Sequence, residues 1–372
     1  MKRDFILIII SLITWGIGES AFMYFQPLYL EELGASPILI GSILGAMGLA
    51  MTVVHIPAGY LADRLGRRQL MWAAWSTGVV TTGLMALSKT LVPFSIGLVL
   101  YSLTMFVSAP LNSYVAAARN NLTVEQALTS TTAGFFLGGI VGPLIGGLLA
   151  DRFGLRSIYL FAFVIFIIST LIILFIKPQP KEEDHGNSAA ELLKNQAYIR
   201  YLPFVFLVFL VLFLPQPLAP NYLKNQLGIS LQTIGFLGAM TNLGNVLISL
   251  AFGQLPAQVG MILGQLFVGT YSIVLLRFTQ LPIIFVGYFL LGGFRATRSL
   301  LIAQVEKLVR SANLGLAFGI LETVTGLATV AAPPLAGALY AARPESIFST
   351  SIIIIIPVLL LTLMRRKFSW IS

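Results

Sequence analysis

The chain has 372 residues, 23 of them Lys or Arg and 14 Asp or Glu, for a formal charge of +9; 57% are apolar and only 10% charged. Soluble domains average roughly 25% charged residues because their surface must face water, so this composition excludes an ordinary soluble globule. Cysteine is absent, which excludes a disulfide framework, a thiolate metal site and a cysteine nucleophile.

A membrane-crossing helix takes about 20 residues, and apolar runs separated by polar breaks predict twelve of them. The spans are placed at 5–28, 38–58, 69–88, 92–114, 127–150, 157–176, 201–220, 231–253, 261–279, 282–305, 312–341 and 347–364. The predicted fold is therefore an all-α polytopic membrane protein. Lys2 and Arg3 ahead of the apolar run Phe5 to Ile13 resemble the start of a secretory signal. The apolar character continues to Leu28, however, and the segment is read as a retained first span. Lys177 to Arg200 is the least apolar long stretch, and it divides the chain into a six-span bundle (1–176), a central loop (177–200) and a second six-span bundle (201–372).

Twelve spans put both termini on one side. That side carries fifteen Lys and Arg, among them Lys2, Arg3, Arg64, Arg67, Arg68, Arg119, Lys177 and Arg200, and the other side six. The positive-inside rule then predicts that both termini and the central loop are cytoplasmic, in a multi-pass protein of the cell membrane. The basic balance is a topology signal, and no nucleic-acid patch is found.

The halves repeat each other. Pro27-x-Tyr29-Leu30-x-x-Leu33-Gly34-x-Ser36 recurs as Pro220-x-Tyr222-Leu223-x-x-x-Leu227-Gly228-x-Ser230. Leu44-Gly45-Ala46-Met47 recurs as Leu237-Gly238-Ala239-Met240, and Gly59-x-Leu61 with Gly66 recurs as Gly253-x-Leu255 with Gly260, all displaced by 193 or 194 residues. A repeat of six spans keeps its orientation, so an axis along the membrane normal relates the copies. Parallel repeats with a site between them near the midplane are a transporter architecture.

Between spans 2 and 3 lies Gly59-Tyr60-Leu61-Ala62-Asp63-Arg64-Leu65-Gly66-Arg67-Arg68-Gln69-Leu70. Its glycines permit a sharp turn and its single acid sits among three arginines. This resembles the loop signature of the major facilitator superfamily. A second run, Gly138-x3-Gly142-Pro143-x2-Gly146-Gly147 in span 5, resembles the motif associated with antiporters of that superfamily, although tight helix packing explains it equally well. The resemblance covers essentially the whole chain and implies two bundles enclosing a central cavity, lined mainly by spans 1, 4, 7 and 10. It also implies that Asp63 stabilises the outward-open state at the cytoplasmic junction of the halves. Two departures stand out: span 4 lacks the arginine many members carry there, with only Asn112 as a strong polar group, and Ala257 replaces the acid in the second copy of the signature.

Ionisable groups within hydrocarbon are costly, so each needs a partner, water or a function. Glu19 lies about 21 Å along span 1 and shares a face with Phe22, Met23 and Gln26. Two readings are open for it: a proton carrier loading and releasing as access alternates, or a hydrogen-bonded structural acid. Glu322, about 15 Å into span 11, is read either as the ion-pair partner of Arg295 or as a second coupling acid. Arg298, one turn from Arg295, is read as snorkelling towards the cytoplasm or as an anion partner. His55 in span 2 reads as a packing group. Tyr101, Met105, Asn112 and Gln216 complete the expected cavity lining.

No zinc-protease, nucleophile-elbow or P-loop signature occurs, so neither catalysis nor direct use of ATP is expected, and no metal or cofactor. The sequence thus predicts a monomeric secondary transporter, with a small molecule, protons and membrane lipid as its partners. Proton-coupled efflux of a lipophilic or drug-like compound is the first reading. Symport or facilitated uptake of a sugar or organic anion is the second, and a receptor or channel on the same helices a third.

Overall fold

The computed structural model describes residues 2–119, 121–178, 192, 194–309 and 314–364. Among these, twelve helices are long and apolar enough to cross a membrane, and every regular element is helical. The helices are α1 (Lys2–Met23), α2 (Gln26–Glu32), α3 (Pro37–Leu65), α4 (Arg67–Leu87), α5 (Leu91–Ser102), α6 (Ser108–Ala118), α7 (Val124–Phe153) and α8 (Arg156–Ile173). They continue with α9 (Gln196–Phe213), α10 (Ala219–Asn225), α11 (Leu231–Phe252), α12 (Ala257–Arg277), α13 (Leu281–Leu290), α14 (Gly293–Gln304), α15 (Leu314–Ala342) and α16 (Ser346–Met364).

Four expected spans are interrupted. Span 1 stops at Met23 instead of running to 28, because Pro27 has no N–H for a helix interior and is accommodated in the first turn of a new helix, α2. Its repeat partner Pro220 does the same in α10, after span 7 has ended at Phe213. Span 4 breaks into α5 and α6 around a 3-10 stretch at Leu103–Val107. Span 10 breaks between Leu290 and Gly293, where Gly244 of α11 approaches so closely that a methyl at Gly244 would overlap the Phe289 carbonyl oxygen.

The chain forms two compact units. The first comprises Met1–Ala35, Ala46–Asp184 and Gly228–Ala239, the second Ser36–Gly45, His185–Leu227 and Met240–Ser372. In the first, α1 packs on α7 and α8, and α4 on α8; in the second, α9 packs on α15 and α12 on α16. The same partnerships therefore recur at equivalent places. Tyr29 meets Tyr159 and, edge-on at 4.7 Å, Phe94. Its repeat partner Tyr222 meets Phe348 edge-on at 4.9 Å. The repeat-paired Gly34 and Gly228 both hold positive φ, +94° and +64°, which glycine alone adopts without strain.

Polar bonds fasten the first unit's interior. The Trp75 indole N–H donates to Ser11 Oγ at 2.8 Å and to Ser169 Oγ at 2.9 Å, and the Ser169 hydroxyl donates to the Ser11 carbonyl at 2.7 Å. Three helices, α1, α4 and α8, are thereby joined where no water can compete.

Candidate functional site

Glu19 is half-buried near the end of α1. Trp15, one turn earlier on the same helix face, donates its indole N–H to Glu19 Oε2 at 2.9 Å. The indole is a neutral donor only, so it orients the carboxyl without fixing its charge, as an arginine would. The donor is rigid: the Trp15 ring lies 4.2 Å from Phe166, 5.0 Å from Trp75 and 6.3 Å from Tyr101 by centroid. Gly78 on α4 makes the room, since a methyl there would overlap the Trp15 ring. The buried Tyr101 ring stacks beside Trp15, and Tyr101 is the last residue but one of α5, just before the 3-10 break.

The other expected lining residues divide. Phe22 does not line a cavity: it is fully buried among Tyr101, Tyr159 and Phe166. Three residues beyond Glu19 it stands about 60° round the helix, and that offset turns it into the aromatic cluster of Tyr101, Tyr159 and Phe166. Met23 and Met105 are exposed, at 44% and 37%, as is Asn112. Gln26 is buried and donates to the Met23 sulfur at 3.3 Å. Gln216 lies beyond α9, half-buried, donating back to the Leu212 carbonyl at 2.7 Å.

In the second unit Glu322 is bound by Arg298, not by Arg295 as the spacing suggested. The pair joins α14 to α15, and the guanidinium carbon lies 6.0 Å from the centroid of the Phe209 ring. Arg295 is exposed. Arg295 and Arg298 both belong to α14, which starts at Gly293 after the break. The side chains of Arg298 and Glu322 are 34% and 42% exposed, so solvent screens the pair and its removal is cheap, about 1 kcal/mol or less. Glu322→Gln is accordingly expected to lower the Tm of the purified protein by only a few degrees, read by intrinsic fluorescence.

The glycine run of span 5 faces two neighbours within the first unit. Methyls at Gly138, Gly142 and Gly146 would overlap the carbonyl oxygens of Ile13, Ile17 and Ala21, so one side of α7 lies directly on the α1 backbone. Gly147 meets Leu231 and Gln232 at the start of α11, and Pro143 meets Gly235. Of the loop signature, the side chains of Gly59, Asp63 and Arg64, with His55, lie outside the described residues. Gly66 is the N-cap of α4 at φ +90°, Arg67 is half-buried, and Arg68 lays its guanidinium 4.4 Å from the centroid of the Trp72 ring.

Sequence reasoning passed over Trp15, although its four-residue spacing to Glu19 was a readable signal. The contribution of Tyr101 depends on the fold bringing α5 to α1.

The family model described as Major Facilitator Superfamily matches residues 5–214 and 201–369. An uncharacterized MFS-type transporter of Methanocaldococcus jannaschii is 26% identical, over 89% of this chain and 94% of the relative. Multidrug resistance protein MdtG of Escherichia coli is 30% identical, and that match spans about half of each protein, 53% of this chain and 51% of MdtG. The crystal structure of the nucleoside transporter NupG superposes with a TM-score of 0.81, covering 99% of this chain and all of that one at 14% identity.

Proposed function

The chain belongs to the Major Facilitator Superfamily, and we propose that this multi-pass membrane transporter exports a lipophilic or drug-like compound in exchange for protons. The observation that carries the reading is the Glu19 carboxyl, oriented by the Trp15 indole. A carboxyl that accepts from a neutral indole can exist with or without its proton, and ionisable groups inside membrane spans mark ion pathways. The exposed Met23 and Met105 offer soft apolar surface to a varied ligand, and the partial match to a multidrug resistance protein points the same way. The test is reconstitution into proteoliposomes with an imposed pH gradient and a panel of fluorescent lipophilic compounds. Gradient-dependent movement of any of them supports the reading, and movement only of sugars or organic anions replaces it with uptake through Arg298. That second reading rests on the part-exposed Arg298–Glu322 pair inside the membrane spans.

The proposal places both termini and the 177–200 loop in the cytoplasm and treats the two six-span halves as the alternating bodies. A cysteine placed at position 185 of this cysteine-free chain should escape an impermeant thiol reagent added outside intact cells; labelling there would reverse the topology. The proposal further gives Asp63 the role of holding the outward-open state through Arg67 or the positive N-terminal end of span 11. Asp63→Asn should then slow transport with little change in substrate binding. Equal loss of both would point to misfolding.

A further inference from the structure

Two of the interrupted spans meet in the second unit. Span 7 stops at Phe213, the last residue of α9, and span 10 resumes with α14, whose second residue is Phe294. The stop is built, not frayed, because the carbonyls that a helix end leaves open are all taken. Leu210 and Phe213 accept from the backbone N–H groups of Leu214 and Gln216, Val211 from the Ser351 hydroxyl, and Leu212 from the Gln216 amide at 2.7 Å. Phe294 then meets two rings that stand one turn apart on α9. It tilts against the buried Phe209 at 5.1 Å and stacks with Phe213 at 5.9 Å by centroid, 26° from parallel. Phe213 and Phe294 are both half-buried, so each ring keeps some free surface.

Arg298 stands one turn beyond Phe294 on the same face of α14, and its pair with Glu322 is part-exposed within two membrane spans. Charged groups at that depth face the bundle interior or a water-lined cavity, not hydrocarbon. Phe294 shares their side. The two charges cancel within the pair, so a ligand here meets ring surface beside a polar edge of no net charge. We propose that Phe213 and Phe294 form a platform for the aromatic ring of the transported compound, and that the protein selects by ring and not by charge. The assignment rests on the export of lipophilic compounds and narrows it to those that carry an aromatic ring. Discontinuous spans near the midplane are where transporters place their substrates. A leucine at either position would also present apolar surface, but ring-on-ring contact adds up to about tenfold in affinity.

The test uses the full-length protein in detergent, with the fluorescent aromatic dye ethidium as probe, read by anisotropy. Two cations of equal charge and equal carbon count displace it, tetraphenylphosphonium with rings and tetrahexylphosphonium without. The parent should release the dye at about tenfold less tetraphenylphosphonium than tetrahexylphosphonium. Phe294→Leu should erase that preference, and Phe294→Tyr should keep it. Phe213→Leu should erase it too, and stands in where Phe294→Leu does not accumulate. Phe175→Leu, which removes a 64% exposed ring just beyond α8 in the other unit, should match the parent. Equal displacement by both cations, or a preference that survives in the Phe213 and Phe294 leucine variants, overturns the platform and leaves export standing. If the dye does not bind the parent and neither cation shifts its Tm, export of lipophilic compounds falls, and the platform with it.

Discussion

Substitution of Glu19 by Gln is expected to abolish gradient-driven accumulation while leaving substrate binding largely intact. With one proton exchanged per substrate, a pH difference of one unit is worth about 1.4 kcal/mol, enough for a roughly tenfold concentration ratio. Gln keeps the size of the side chain and can still accept from the Trp15 indole, which donates to Glu19 at 2.9 Å, but it has no proton to exchange. The ratio should therefore fall to about one, with the substrate merely equilibrating. Trp15→Phe gives the complementary result. It keeps a ring against Phe166 and removes the donor, so the rate should drop while the final ratio survives, because a positioning group affects kinetics and not stoichiometry. Glu322→Gln serves as control, since its pair with Arg298 is screened. Survival of concentrative transport in Glu19→Gln would move the coupling role to Glu322.

The second large effect is expected along the seam between α1 and α7. A side chain at Gly142 would overlap the Ile17 carbonyl and crowd the Ala21 nitrogen and the Ser20 side chain, groups on either side of Glu19. Overpacking a close interface typically costs about 1–3 kcal/mol. Gly142→Leu, with four added carbons and no cavity to take them, should prevent accumulation of folded protein. Gly142→Ala, where it folds, should lose more transport than expression, because parting the helices displaces Glu19. Gly319 on α15 provides the contrast: nothing lies within 4 Å of an added methyl there, and Gly319→Ala should match the parent in thermal stability. Equal tolerance at both glycines would mean that the seam is looser than its geometry.

The spans were legible because each needs a long apolar run, and the repeat because the same turn chemistry had to be written twice, as Pro27 with Gly34 and Pro220 with Gly228. The breaks were only half legible. Pro27 and Pro220 announce theirs through a missing N–H, whereas the break before Gly293 is set by Gly244 pressing on Phe289 from another helix. Arg295 and Arg298 lie one turn apart on the same face of span 10, so the sequence could not choose between them, and the fold pairs Arg298 with Glu322. Glu19 could be found as a lone acid in an apolar run, and its donor Trp15 by spacing. By contrast, the burial of Phe22 depends on Tyr101 of α5 and on Tyr159 and Phe166 of α8 converging on α1. The Ser11–Trp75–Ser169 bonds likewise join residues 64 and 94 positions apart. Periodicity within one helix carries no information of that kind.

Proton movement itself tests proton-coupled export through Glu19 most directly. Proteoliposomes loaded with a pH-sensitive dye, and holding the transported compound at a higher concentration inside than outside, report internal pH as the compound leaves. Exchange predicts internal acidification that tracks substrate exit and is absent in Glu19→Gln. Substrate exit with no change in internal pH, or acidification that persists in Glu19→Gln, would contradict it.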